Sequence, residues 1–239
     1  MLDFKILADL GIFLDAQMEA QLAAFHQLLL EHNARMDLTN VPEADMTIRH
    51  YADSLLVLKH NLIIQNARLI DVGTGAGFPG LPLAVARRDV QVALLESKQK
   101  RCAFLQTVIT ALGLQNASVL CARAEDLAVP PHRDHYDVAM ARAVAPLNEL
   151  AEYLLPYVRT GGQALCWKGP AVADELAGGR LAAAELGGKL EQLVSLEIPG
   201  RSHYIQVIRK LRPTPKKYPR KAGIPAKFPL GTHTKSPLR

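Results

Sequence analysis

The strongest constraint on the fold is a switch between two hydrophobic periods. Arg68 to Val72, Gln91 to Glu96, Ala117 to Cys121, Asp137 to Ala141 and Gln163 to Lys168 are short, strand-like apolar runs. Helix-like stretches separate them, such as Lys100 to Leu112 and Pro146 to Val158. Strands alternating with helices imply parallel β-α-β units with right-handed crossovers. Two more strand-like runs, Lys189 to Ile198 and His203 to Lys210, are joined only by Pro199-Gly200-Arg201-Ser202. That loop is too short for a parallel crossover, so the pair should be antiparallel. The expected architecture is α/β: a seven-stranded, mostly parallel sheet with a C-terminal antiparallel hairpin.

The flanks differ. Residues 1–62 read as a helical cap. Leu22, Phe25, Leu28 and Leu29 recur at helical spacing, with Asp15 placed to cap that helix. A break near Asp37-Leu38-Thr39-Asn40-Val41-Pro42 precedes a second helical pattern over residues 45–59, through Ile48, Ala52, Leu55, Leu56 and Leu58. Residues 63–211 hold the strands. Beyond them, in 212–239, prolines at 213, 215, 219, 225, 229 and 237 argue against regular structure.

Charge follows the same division. The chain of 239 residues carries a net +5, yet residues 1–200 carry −6. Eleven of the 28 Lys and Arg lie between Arg201 and Arg239, where there is no Asp or Glu. Such an asymmetry suits a polyanionic partner, or simply a solubilising tail. No run approaches the ~20 apolar residues of a membrane span. Met1-Leu2-Asp3-Phe4-Lys5 lacks a signal-type start, so a cytoplasmic protein is expected. Cys102, Cys121 and Cys166 read as small core residues in a reducing compartment. Neither C-x-x-C nor H-E-x-x-H occurs, and no metal is expected.

The sharpest motif is Asp71-Val72-Gly73-Thr74-Gly75-Ala76-Gly77-Phe78-Pro79-Gly80, a glycine-rich turn between the first strand and a helix. Glycines there allow a tight turn and close approach of a ligand. Pro79 suits the first turn of that helix. Gly75-x-Gly77-x-x-Gly80 also satisfies the dinucleotide pattern, so an NAD-dependent oxidoreductase is one reading. Asp71, at the strand end, favours S-adenosylmethionine, because a carboxylate suits an ammonium group better than a pyrophosphate. Glu96 ends the second strand, where a carboxylate can accept from ribose hydroxyls in either ligand. Ala124 and Glu125, after the third strand, can reach an adenine edge, against a helix-capping alternative for Glu125 and Asp126.

Together these residues resemble the RsmG (GidB) family of bacterial 16S rRNA guanine-N7 methyltransferases. The resemblance spans Asp37-Leu38-Thr39-Asn40, Arg49-His50-Tyr51-Ala52-Asp53-Ser54, the glycine turn, Leu95-Glu96-Ser97 with Lys100-Arg101, Arg123-Ala124-Glu125, Ala141-Arg142-Ala143, Lys168-Gly169 and Tyr218 to Pro225. It implies a class I, Rossmann-like methyltransferase fold with an N-terminal helical cap, and S-adenosylmethionine as cofactor. It implies a pocket lined by Gly73, Phe78, Ala124, Glu125 and Arg142, beside Asp71, Gly75, Gly77 and Glu96. The expected partner is 16S rRNA, or the small subunit or its precursor, met by a monomer. Ala141 stands where many members have serine, and Asp37 where many have asparagine.

Guanine N7 carries a lone pair and no proton, so its methylation needs no general base. Positioning and desolvation carry such a reaction. An amino-group methylase of the common DNA type would show Asn/Asp-Pro-Pro-Tyr/Phe where this chain reads Ala141-Arg142-Ala143-Val144. No cysteine lies there to act as a nucleophile. Arg142 ends the fourth strand, where open α/β sheets place ligands. It is the expected catalytic positioning residue, by contact with cofactor carboxylate, RNA phosphate or guanine O6, or else a structural ion pair. His50 and Asp53 read as a local pair packing the cap, or as substrate contacts. Lys100, Arg101, Lys168, Arg209, Lys216, Lys217, Arg220 and Lys221 are the candidate RNA contacts, the tail adding Tyr218 and Phe228 as stacking partners. A same-fold enzyme acting on another RNA or a protein, or an idle RNA-binding module, remain alternatives at this level.

Overall fold

Arg68–Val72 (β1) sits inside the sheet because it pairs in parallel on both sides, Leu69 with Val92 on one flank and with Val138 on the other. The computed structural model describes residues 1–198 and 200–232. The further strands are β2 Gln91–Glu96, β3 Ala117–Cys121, β4 Tyr136–Arg142, β5 Val158–Lys168, β6 Gly188–Ser195 and β7 Tyr204–Lys210. Their order is β3-β2-β1-β4-β5-β7-β6. β7 runs antiparallel to both β5 and β6, so the terminal hairpin is as expected.

In the cap, α1 is Phe4–Asp9 and α2 is Ala16–Met36. The Asp15 carboxylate accepts from Met18 N at 2.8 Å, the expected cap, and α2 stops at Asp37 with φ 49°. The second helical pattern is not one regular helix. It divides into α3 (Glu43–Met46), a widened π turn over Thr47–Ala52, α4 (Asp53–Leu55) and a tight 3₁₀ turn over Leu56–His60. A π turn redirects side chains that a regular helix would aim elsewhere, and such turns are frequent at functional sites.

The remaining helices are α5 Gly80–Ala86, α6 Gln99–Leu112, α7 Ala124–Leu127, α8 Leu147–Leu154, α9 Val172–Glu185 and α10 Ile224–Lys227. One sheet face is covered by the cap with α5 and α6, and Leu22, Phe25 and Tyr51 share a single core with Leu81, Phe104 and Leu105. The other face carries α8 and α9, with Leu147, Leu150, Ala182 and Leu186.

Three expectations change. The helix expected over Pro146 to Val158 ends at Leu154, and β5 already begins at Val158. Between the pairs Tyr136–Val158 and Val138–Gln163 the strand bulges. The bulge needs Gly161 at φ +84° and Gly162, whose added Cβ would lie 2.6 Å from the Asp137 carbonyl. Cys121 is exposed, not core, because β3 is an edge strand, whereas Cys102 and Cys166 are buried. Finally, residues 212–232 pack against the body. Thr214, Tyr218 and Pro225 are buried, and α10 is a short regular turn among the prolines. Arg133 holds this segment by donating to the carbonyls of Thr214 (2.8 Å) and Tyr218 (2.7 Å). The buried Lys210 ammonium donates to Thr214 Oγ1 at 2.7 Å. The rest of the tail, 233–239, lies outside the described residues.

Candidate active site

A cleft of ≈ 190 Å³ opens at the C-terminal edge of β1 to β4. Gly73, Leu95, Ser97, Ala122 to Glu125, Val144, Glu149 and Tyr153 are among its lining residues. Gly73 has φ +71°, and a Cβ there would meet Val144 at 3.0 Å. Gly73→Ala is therefore expected to cost about 1–2 kcal/mol in backbone strain and to narrow the cleft. Thermal denaturation and calorimetric titration with S-adenosylmethionine read the two effects separately.

Glu96 organises the rim. One carboxylate oxygen accepts from Gly75 N at 3.1 Å, and the other from Ser97 N and Lys98 N, both at 2.8 Å. The glycine turn and the start of α6 are thus tied to one side chain. Asp71 lies beneath the turn, wholly buried. Its Oδ2 accepts from Thr74 Oγ1 at 2.7 Å and Gly80 N at 2.8 Å, while Oδ1 has no partner among the described residues. Burial pushes its carboxyl up to about 6 despite those donors. A wall of apolar and small side chains, a backbone-exposing glycine and an orphaned buried carboxylate oxygen fit a nucleoside with a cationic group.

The later glycines do other work. A Cβ on Gly77 would lie 2.3 Å from Leu81, and one on Gly80 2.3 Å from Leu94 and 2.8 Å from Asp71 Oδ2. Both serve packing, which weakens the pyrophosphate reading of Gly75-x-Gly77-x-x-Gly80. Pro79 stands at the cap position, just ahead of α5. Phe78 is buried toward the helical cap, stacked on His50 (4.5 Å, 17°) and packed near Phe25 and Tyr51. Ala124 and Glu125 line the cleft, and Glu125 Oε1 accepts from Gly223 N of the tail at 3.1 Å.

Arg142, at the end of β4, enters a buried polar cluster. Its guanidinium donates to Asp53 Oδ2 (2.9 Å), the Arg49 carbonyl (3.0 Å) and His50 Nδ1 (3.1 Å), and lies over the Phe78 ring. Arginine can only donate, so His50 Nδ1 accepts and its proton sits on Nε2, 2.8 Å from Thr39 Oγ1. Burial first, then the Arg142 charge, lowers the His50 pKa to about 3, so the ring is neutral. Burial works against the Asp53 carboxylate, but hydrogen bonds from His203 and Arg142 and the Arg142 charge hold its pKa below the usual range. His203 Nδ1 lies 2.7 Å from Asp53 Oδ1, and Trp167 Nε1 donates to the Asp53 carbonyl at 2.9 Å. The cap is thereby bolted to β4, β5 and the residue just before β7. Sequence reasoning gave His203, Val144, Glu149 and Tyr153 no role. Only Glu149 and Tyr153 carried a signal, standing at i, i+4 on the helix after β4.

The candidate RNA contacts scatter. Lys100 is exposed in the first turn of α6, and Arg101 donates to the Asp37 carbonyl at 3.2 Å. Lys168 is bound to Glu175 and to the Ala145 carbonyl. Arg209 pairs with Glu191 at the opposite end of the sheet, near Gly161. Lys217 faces Glu185, and Arg220 is locked onto the buried Glu152 through both carboxylate oxygens. Lys216 and Lys221 are exposed, with no ion pair among the described residues. No group of three or more His, Cys, Asp or Glu suited to a metal occurs among the described residues, and no helix there is long and apolar enough to cross a membrane.

A family model described as rRNA small subunit methyltransferase G matches residues 18–204. The chain is 42% identical over 220 residues to ribosomal RNA small subunit methyltransferase G of Alkaliphilus oremlandii, covering 90% of this chain and 92% of that one. It is 46% identical over 212 residues to the protein of the same name from Symbiobacterium thermophilum, covering 85% and 86%. In fold it is similar to a SAM-dependent methyltransferase from Aquifex aeolicus, at TM-score 0.52 and 17% identity, covering 69% of this chain and 92% of that one. A match along nearly the whole of such relatives shows that the chain belongs to the GidB family of small-subunit rRNA methyltransferases.

Proposed function

We propose that this chain methylates N7 of a guanine in 16S rRNA, acting as a cytoplasmic monomer on the small subunit or its precursor. It is an S-adenosylmethionine-dependent methyltransferase of small-subunit rRNA. When bound, S-adenosylmethionine supplies an electrophilic methyl group on a sulfonium sulfur. The observation that carries the N7 reading is that, among the described residues, the ionisable groups meeting the ends of β4 and β5 are already engaged. His50 is neutral with both ring nitrogens engaged, Asp53 is held by two donors, and Lys168 is paired with Glu175. A nucleophile with its own lone pair suits such a site. Arg142 and Phe78 then position the base, and the cap excludes water. Methyl transfer to naked 16S rRNA, small subunits and tRNA, followed by borohydride–aniline cleavage, tests substrate and atom together. Methylated RNA that resists cleavage would exclude N7.

Gly73, Gly75, Glu96, Ala124 and Glu125 are proposed to hold the nucleoside, and Asp71 to serve the cationic part through its unpaired oxygen. A carboxyl raised to about 6 is mostly ionised at pH 7 and protonated below 6. Cofactor affinity is therefore expected to fall as pH drops through 6, and Asp71→Asn to weaken binding about tenfold and flatten that profile. The fold responds in the opposite sense. A raised carboxyl gives a stability contribution present below the unfolded-state value near 4 and lost as pH rises through about 6. Calorimetric titration from pH 5 to 8 checks the first, and urea denaturation the second.

For RNA, Lys100, Lys216 and Lys221 are the most available cations, with Arg101, Lys168, Arg209, Lys217 and Arg220 reaching RNA only by leaving their present partners. Lys216→Glu with Lys221→Glu should lower RNA affinity and reduce the salt slope by about 2, sparing cofactor binding. An unchanged slope would remove the tail from the interface.

A further inference from the structure

Two thiols bracket the Glu96 end of β2. Glu96 pairs in register with Cys121, the last residue of β3. Its carbonyl accepts from Ala122 N at 3.1 Å and from Cys102 Sγ, in the first turn of α6, at 3.3 Å. Ala117 and Val119 pack on the α6 side of the sheet, and residue 121 shares their face. The Glu96–Cys121 register and the Cys102 hydrogen bond to the Glu96 carbonyl thus bring the two side chains to the same end of β2. One is buried and the other exposed. We infer that Cys102 and Cys121 are an oxidisable thiol pair, a modification site for peroxide-class oxidants that closes as an intramolecular disulfide behind Glu96.

The two cysteines take different steps. The exposed Cys121 sulfur attacks a peroxide oxygen, breaking the O–O bond and giving a sulfenic acid and one water. Cys102 then attacks that sulfur. The S–S bond forms, the S–O bond breaks, and the Cys102 proton leaves with the hydroxide as a second water. Two electrons pass from the thiols to hydrogen peroxide. Burial, with the adjoining Cys121 thiol, pushes the Cys102 thiol up to about 12. That disfavours direct oxidation of Cys102 and leaves the first attack to the exposed Cys121. The disulfide also removes the S–H donor from the Glu96 carbonyl, at the rim proposed above to hold the nucleoside.

The full chain is treated with hydrogen peroxide alone and mapped by peptide mass spectrometry. The expected product is a peptide pair joining 102 to 121, two hydrogens lighter and reversed by dithiothreitol. Cys166→Ser should behave like the parent, and Cys102→Ser should stop at a Cys121 sulfenic acid trapped by dimedone. A parent chain that stops at Cys121 sulfenic or sulfinic acid, links only between molecules, or keeps both thiols would overturn the pair. S-adenosylmethionine affinity of the cross-linked protein is expected to fall at least about fivefold. An unchanged affinity would leave the disulfide standing and overturn its link to the pocket. Because the mapping needs no cofactor, it fails or succeeds separately from the assignment of Glu96.

Discussion

Arg142→Ala is expected to lower kcat/KM for rRNA methylation by about 10²-fold, and to cost about 3 kcal/mol of stability. Both losses have one origin. The guanidinium neutralises Asp53, which is only 1% exposed, and fixes the acceptor nitrogen of His50. Removing it leaves a buried carboxylate with His203 as its remaining side-chain partner. It also takes the guanidinium from over the Phe78 ring and loosens the His50–Phe78 stack. Arg142→Lys keeps the charge but not the fork, so it should recover part of the stability and little of the turnover. Methyl transfer at saturating cofactor and urea denaturation make the comparison. Wild-type turnover with unchanged cofactor affinity in Arg142→Ala would end the positioning role.

The tail should respond as strongly. Arg220→Ala is expected to cost about 3–5 kcal/mol, or roughly 10 °C in Tm, and to open residues 212–220 to proteolysis. Glu152 has no solvent exposure, and Arg220 supplies it with four hydrogen bonds from three donors, its backbone N (2.8 Å), Nε (2.9 and 3.1 Å) and Nη2 (2.5 Å). A charge stripped of that partner has no water to turn to. Pairing Arg220→Ala with Glu152→Leu should restore most of the loss, since an apolar replacement of both partners removes the desolvation cost. If Arg220 instead serves RNA alone, the single variant would keep its Tm and lose RNA affinity.

What could be read from residue order was local. The strand runs, the Asp15 cap and the antiparallel hairpin follow from periods, cap chemistry and loop length. The features that residue order left open depend on partners far along the chain. Arg220 meets Glu152 across 68 residues, and Arg142 meets Asp53 across 89. No helical or strand period records such meetings. The basic tail therefore reads as a free cationic arm until Glu152, Glu185 and Arg133 are seen to hold it. The second cap helix misleads for a related reason. Its apolar spacing tolerates the extra residue of a π turn, and the gain is polar, placing His50 and Asp53 on Arg142. Cys121 sits in an apolar run, but burial of an edge strand depends on which helix covers it. The glycine turn was read correctly as a turn, and only the structure separates Gly73, which borders the cleft, from Gly77 and Gly80, which admit neighbouring side chains.

The sheet order also bears on how the chain is made. β7 lies between β5 and β6, so β6 has no place in the sheet until β7 has been synthesised. During vectorial synthesis, the edge of β5 facing Ile205 and Val207 stays open until residue 210 has left the ribosome. That edge carries Leu165 and Trp167, both buried in the finished protein. A nascent chain stalled before β7 thus exposes an apolar strand edge suited to pairing with another chain. Truncations ending between β5 and β7 are expected to aggregate co-translationally, whereas chains that include β7 close that edge.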